Sequence, residues 1–332
     1  MLWSQDRQRH AINAQASGSA LNSASASGNP DYFSAVWTIW TGGQQNVNTD
    51  TQLERLRPIS VNDLKERSRQ LRLDILRIID HAPMGHYSSS LSCAEILVTL
   101  YHHVLRLRRG EPDWPDRDRF LLGKGHVAVA LWPLFAELEY FPIEWLDTFG
   151  DFNSRLTDHP DMLRTPGVDF SSGSLGHNLS VALGMAIASR RRKLDHRVYV
   201  LLGDGEIHEG QVWEAAMAAS HYRAGNLVAI VDANGSCADG PTESVMSIEP
   251  LAERFSSFGW TSVDVDGHDP EALMSAFGEA MQDKEKPTCI IARTLKGKGV
   301  SFMEASPREW HLGALGEQDL ERARREIMEA RT

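Results

Sequence analysis

Two oxygen-bearing side chains stand where apolar runs give way to glycine: Asp204 in Gly203-Asp204-Gly205, and Asn234 in Asp232-Ala233-Asn234-Gly235. Each follows a run rich in Val, Ile and Leu, residues 198–202 and 227–231, and a helical stretch, residues 210–221, lies between them. That is the order of a strand–helix–strand unit with a right-handed crossover, which places both residues at the carboxyl ends of parallel strands. A carboxylate and an amide carbonyl, completed by a backbone carbonyl and diphosphate oxygens, form an octahedral oxygen set suited to Mg2+ or another divalent cation. Gly203 and Gly205 are expected to let the backbone turn sharply and approach the phosphates. The following helix N-terminus favours the anion. Gly-Asp-Gly alone marks a turn as readily as a ligand site; its weight comes from its context.

Four histidines, His86, His126, His159 and His311, lie in loops of the chain, His126 directly after an apolar run. Imidazoles titrate near neutral pH and suit proton transfer at a substrate oxygen. A lone histidine is equally a solvated or structural side chain, so spacing leaves both readings open. His177 is open in the same way between a surface and a cofactor role, while His208 and His268 read as structural. Lys296 and Lys298, in Lys-Gly-Lys-Gly, fit either a phosphate contact or a solvated face.

The elements that must position these residues form an α/β pattern. Short runs at 119–123, 198–202, 227–231, 262–265 and 288–292 read as strands and alternate with helical segments. Strands this rich in Val, Ile and Leu predict a parallel β-sheet flanked by helices on both faces. Ser60, three residues before Asp63, signals a capped helix N-terminus, followed by Leu64, Leu71, Ile75 and Ile78 at helical spacing and closed by Pro83 and Gly85. A second helix is expected over residues 93–107 and a charged one over 317–331. Residues 1–59 are rich in Ala, Ser, Asn, Gln and Gly and are expected to form a disordered extension, with the ordered domain over 60–332.

Bulk properties narrow the function. A formal net charge of -11 disfavours nucleic acid. Cys93, Cys237 and Cys289 are widely spaced, which argues against a disulfide scaffold or zinc site and fits the cytoplasm. The apolar run at 32–40 is too short to span a membrane, and no apolar segment follows Arg7 and Arg9 to make a secretory signal.

The string from Gly203 through Glu206, Glu209 and Trp213 to Ser220, followed by 226–235, resembles the thiamine-diphosphate signature of transketolases. The likeness extends over about residues 60–320, through Gly123-Lys124-Gly125-His126, Asp158-His159-Pro160, Gly173-Ser174-Leu175-Gly176, Asp266-Gly267-His268 and Glu309-Trp310-His311. It implies the thiamine-diphosphate-binding fold, with Asp204, Asn234 and the backbone oxygen of Ser236 holding the metal. It further implies cofactor contacts from His126, Ser174, Leu175, Gly176, Gly203, Asp204, Gly205, Glu206, Asn234 and His311. His86, His126, His159 and His311 become the catalytic set. Glu209 is implied in an acidic network toward a partner, beside its plain reading as a helix N-terminal acid.

Three segments depart from the family pattern: Tyr87-Ser88-Ser89, His177-Asn178, and Asp158 where glycine is usual. Asn178 is expected to preserve a left-handed backbone there. These changes surround the expected substrate mouth and bear on sugar specificity. The chain ends at Thr332, so the resemblance is to the N-terminal subunit of a split transketolase. Such a chain transfers a two-carbon ketol unit between sugar phosphates together with a C-terminal partner carrying a pyrimidine-binding domain. A heterotetramer without nucleic-acid or membrane partners is expected. Two other readings stand beside it: a specialised subunit passing a two-carbon or acyl unit to a non-sugar acceptor or carrier, and a non-catalytic scaffold.

Overall fold

The computed structural model describes residues 59–82 and 85–330; the expectations for residues 1–58, Pro83 and Arg331 lie outside the described residues.

Helix α1, Val61–His81, begins as its sequence dictates. The Ser60 hydroxyl accepts from the Asp63 N–H at 3.1 Å, and the Asp63 carboxylate receives the Ser60 N–H at 3.4 Å. Two N–H groups that the helix leaves orphaned are thereby satisfied. Leu64, Leu71, Ile75 and Ile78 form its buried stripe. After Ala82 the chain turns at Gly85, whose N–H and carbonyl both pair with Gly313. A Cβ at Gly85 would lie 2.4 Å from Ile79, so only glycine lets the two backbones meet there.

The helix expected over 93–107 forms as α3 (Ala94–Thr99) running into a π-turn, Leu100–Val104, and a further short helix, α2 (Tyr87–Ser92), precedes it. The two short helices are separated at Cys93, with φ −99° and ψ 14°. Ser90 donates to the His86 carbonyl at 2.6 Å. Such back-bonding competes with the regular helix ladder.

The five expected strands all form: β1 (Arg119–Leu122), β2 (Val198–Gly203), β3 (Leu227–Ala233), β4 (Thr261–Asp266) and β5 (Thr288–Arg293). They pair in parallel, in the order β1-β2-β3-β5-β4. Every residue of β2 and β3 is buried, whereas edge strand β4 is half exposed and carries Asp264 and Asp266. Alternation along the strands divides the core. Phe120, Tyr199, Leu201, Val228 and Ile290 pack toward α1 and α3. Leu121, Val200, Leu202, Ala229 and Ile291 pack on the opposite face against Leu179 and Ala182 of α4 (Asn178–Arg191), and Val212 and Ala216 of α5 (Gly210–His221).

The C-terminal run forms α6, Glu317–Glu329, burying Leu320, Ala323 and Ile327. All three cysteines are free, Cys93 and Cys289 within the core. Among the described residues no helix is long and apolar enough to cross a membrane.

Candidate active site

Parallel pairing places Gly203 of β2 opposite Asp232 of β3. The residues just past them, Asp204 and Asn234, therefore emerge side by side at the carboxyl edge. Asp204 is buried; its Oδ1 accepts from the Gly205 N–H at 2.8 Å and its Oδ2 from the Gly235 N–H at 2.5 Å. Burial, followed by the negative charge of Asp232, pushes its carboxyl up to about 6. The Asn234 Oδ1 accepts from the Ser236 N–H at 3.2 Å. The Ser236 carbonyl accepts from Lys296 Nζ at 3.0 Å. Two adjacent loops, after β2 and after β3, thus carry the three oxygens expected from the sequence as metal donors.

This donor set fits a hard cation. Its oxygens are a carboxylate, an amide and a carbonyl, and the carboxylate is bonded to backbone N–H groups in place of a cationic side chain. Among the described residues no group of three His, Cys, Asp or Glu could hold a metal. A cation here rests on one carboxylate, so it requires further anionic oxygens from a ligand such as a diphosphate.

Beneath the loop after β3 lies a pair that sequence reasoning missed. The Lys124 ammonium, just past β1, is buried against the Asp232 carboxylate and also donates to the Ser89 carbonyl at 3.1 Å. Asp232 further accepts from Ser92 Oγ at 2.6 Å, Asn234 Nδ2 at 3.2 Å and the Thr294 hydroxyl. Burial opposes both charges, yet each partner holds the other ionised: the Asp232 carboxyl lies below its ordinary range and the Lys124 ammonium above it. The only signal in the sequence was the position of Lys124 between two glycines and ahead of His126.

Lys296 was left open between a phosphate contact and a solvated face. It is 2% exposed and bonded to the Ser236 carbonyl, which removes the solvated reading. Burial, then the charge of Lys124, pushes its ammonium down to about 8. Lys298 is partly exposed.

The four histidines converge. Ring centroids lie 4.9 Å apart for His86–His126, 5.5 Å for His86–His311, 5.4 Å for His126–His311 and 6.4 Å for His86–His159. His311 is carried there by backbone ties: Ser88 N–H to the Trp310 carbonyl at 3.2 Å, and the Gly85–Gly313 bridge. Its Nδ1 lies 3.2 Å from Ser89 Oγ. Burial first, then the Lys296 charge, lowers His311 to about 4; burial and Lys124 drive His126 well below its ordinary value. Both inner rings are neutral at pH 7, when each has a lone pair to offer a substrate proton.

Glu206 ties the loop before α4 to the end of β2. Its Oε1 accepts from the Gly176 N–H and its Oε2 from the Gly203 N–H, both at 3.0 Å. Burial pushes its carboxyl up to about 7. Ser174 and Leu175 are exposed beside the buried Gly176. Gly176 has φ +84°, and a Cβ there would meet Glu209 Cβ at 2.6 Å. Gly205 has an ordinary helical φ of −65°; glycine is needed instead because a Cβ would lie 2.7 Å from Cys237. At Gly203 a Cβ would meet nothing nearer than 3.8 Å, so no sharp turn explains that glycine.

Asn178 likewise needs no left-handed backbone. It opens α4 with helical geometry, buried, and its Nδ2 donates to the Leu122 carbonyl at 3.3 Å. His177 is exposed, its Nδ1 3.2 Å from the Leu175 carbonyl. Glu209 is exposed ahead of α5 and makes no side-chain cap. His208 buries Nε2 without a hydrogen-bond partner among the described residues. His268 is structural in its contacts: Nδ1 faces Glu95 Oε2 at 2.9 Å, and Nε2 accepts from the Leu295 N–H at 2.8 Å.

Residues 62–329 match the family model "Transketolase, thiamine diphosphate binding domain". The chain is 39% identical over 271 residues to an apulose-4-phosphate transketolase subunit of Phocaeicola vulgatus, covering 82% of this chain and 96% of that one. It is 41% identical over 242 residues to a 6-deoxy-6-sulfo-D-fructose transketolase subunit of Clostridium sp., covering 73% and 88%. Among solved structures, the transketolase of Campylobacter jejuni superposes with a TM-score of 0.76 at 29% identity, over 81% of this chain and 43% of that one. The transketolase of Leishmania mexicana gives 0.74 at 29% identity, over 80% and 41%. The chain therefore spans about two fifths of the length of these solved transketolases.

Proposed function

Because the chain belongs to the transketolase family and matches its thiamine-diphosphate-binding domain, we propose that it is the N-terminal subunit of a split transketolase. It transfers a two-carbon ketol unit between sugar phosphates. The observation that carries this is the convergence of the Asp204–Asn234–Ser236 oxygen set, the Glu206-tethered loops and four imidazoles at one sheet edge. Two relatives named as transketolase subunits are covered over 88% and 96% of their length, which supports a division of the enzyme between chains.

Asp204, Asn234 and the Ser236 carbonyl would hold Mg2+, which would supply positive charge to the diphosphate; Ser174, Leu175, Gly176, Gly203 and Gly205 would line the diphosphate site. When bound, thiamine diphosphate supplies a carbon nucleophile for a ketose carbonyl. The protein's part is positional and electrostatic. Neutral His126 and His311 exchange protons or hydrogen bonds with donor oxygens, and His86 and His159 serve the outer hydroxyls. The Lys124–Asp232 pair and Lys296 fix the loop that carries Asn234 and Ser236.

The ordered domain is assigned to 60–332, with 1–59 an extension. A C-terminal chain bearing the pyrimidine-binding domain completes the site in a heterotetramer, in the cytoplasm. The test is to purify this chain with such a partner and measure thiamine diphosphate uptake by calorimetry with and without Mg2+. Magnesium-dependent uptake, followed by ketol transfer from a ketose phosphate, is expected. A heteromer that takes up no thiamine diphosphate refutes the reading. Light scattering tests the two-plus-two assembly.

A further inference from the structure

Asp158 stands between two of the four imidazoles. Its Oδ1 lies 3.4 Å from Nδ1 of His86, and its Oδ2 lies 3.3 Å from Nδ1 of His159. One carboxylate therefore faces the same nitrogen of two rings, with a separate oxygen for each. An ionised carboxylate can only accept hydrogen bonds, so an Nδ1 that bonds to it carries the proton; His86 meets hydrogen-bond geometry, and His159 comes within ion-pair distance. In a neutral ring Nε2 is then the bare acceptor.

The remaining contacts of the cluster impose no such choice. His311 Nδ1 faces the Ser89 hydroxyl, which donates or accepts equally well. This carboxylate is half exposed beside the inner, neutral pair.

We propose that Asp158 is a positioning residue that holds His86 and His159 in the Nδ1–H tautomer, leaving an Nε2 lone pair on each. Its use rests on the ketol-transfer reading; its existence does not. Breaking the carbon–carbon bond beside a ketose carbonyl turns the adjacent hydroxyl into an aldehyde, and that hydroxyl's proton must pass to an acceptor. Two rings with fixed, bare Nε2 atoms accept hydrogen bonds from substrate hydroxyls and do not compete as donors. The same arrangement disfavours a substrate group that only accepts, such as a carbonyl or ionised acid, at these two positions.

The tautomers can be read directly. In the 15N-labelled full-length chain, at a pH where the rings are neutral, His86 and His159 should show a protonated Nδ1 and a bare Nε2. Asp158→Gly should return both to the Nε2–H form that free imidazoles favour. Asp158→Asn keeps one acceptor oxygen and should preserve the Nδ1–H form on one ring. His268, fixed as Nδ1–H between Glu95 and Leu295, reports that the fold is intact in each variant. Nε2–H rings in the wild type, or unchanged rings in Asp158→Gly with His268 undisturbed, overturn the proposal. If Asp158→Gly fails to fold, the wild-type and Asp158→Asn spectra decide. The measurement needs neither cofactor nor partner, so absence of ketol transfer in the reconstituted enzyme would refute the proposed function and leave the tautomer assignment standing.

Discussion

Lys124 and Asp232 form a buried ion pair that joins the ends of β1 and β3 directly beneath the loop bearing Asn234. Neither partner is free to re-pair with water, and Asp232 also collects the Ser92, Thr294 and Asn234 side chains. The pair is a keystone of the site's floor.

Removing one partner strands the other. Lys124→Met should lower the unfolding free energy by about 3–5 kcal/mol, the usual consequence of an unpaired buried charge. Urea denaturation of the chain measures this. A loss below about 1 kcal/mol, the value of an exposed pair, would show that Asp232 finds another cation or a proton.

Asp204→Ala removes the only charged side chain of the proposed metal donor set. It leaves the Gly205 and Gly235 N–H groups without their partner, at a cost of about 1–3 kcal/mol each at most. Calorimetry on the heteromer should find that magnesium no longer strengthens thiamine diphosphate binding. Undiminished magnesium dependence would place the metal elsewhere.

His311 is lowered to about 4 by burial, then by Lys296 and His86. Its folded pKa lies below the unfolded value, so the unfolded chain binds the extra proton between them. Stability is full above about pH 6.5 and declines as pH falls toward 4. The ring is partly solvated, so the contribution is discounted to about 1 kcal/mol. Comparing urea midpoints at pH 7 and pH 5 should show a smaller fall in His311→Gln than in the wild type. Equal falls would mean that the ring is not held neutral.

Glu95 is held down at about 2: burial opposes its charge, but Arg72 and His268 outweigh it. Arg72 meets it in a fork of 2.5 and 2.6 Å, and His268 links it to the Leu295 N–H next to Lys296. Glu95→Gln should cost about 3 kcal/mol and speed hydrogen exchange at the Leu295 amide. Because the folded pKa is depressed, this stabilisation is present above pH 4.5 and lost as pH falls toward 2. Unchanged exchange at Leu295 would uncouple the network from the Lys296 loop.

Local features were legible in the order of residues along the chain. Four apolar runs became buried parallel strands, because a strand buried on both faces must be continuously apolar, and the alternating run at 262–265 became the half-exposed edge strand β4. Ser60 and Asp63 marked a helix start, because capping acts over three residues. Asp204 and Asn234 were legible as a pair, because one strand–helix–strand unit separates them. The short helix at 87–92 was not legible, because its serine run carries no apolar periodicity and Ser92 spends its hydroxyl proton on distant Asp232.

Folding in three dimensions settled what remained. The meeting of His86, His126, His159 and His311, the Lys124–Asp232 pair, the Lys296 contact and the Asp158 bridge join residues that no periodicity relates. They depend on strand order, on the Gly85–Gly313 crossing and on which loops end at the same sheet edge. Hydrophobic pattern records which face of an element is buried, but not which distant loop lies above it.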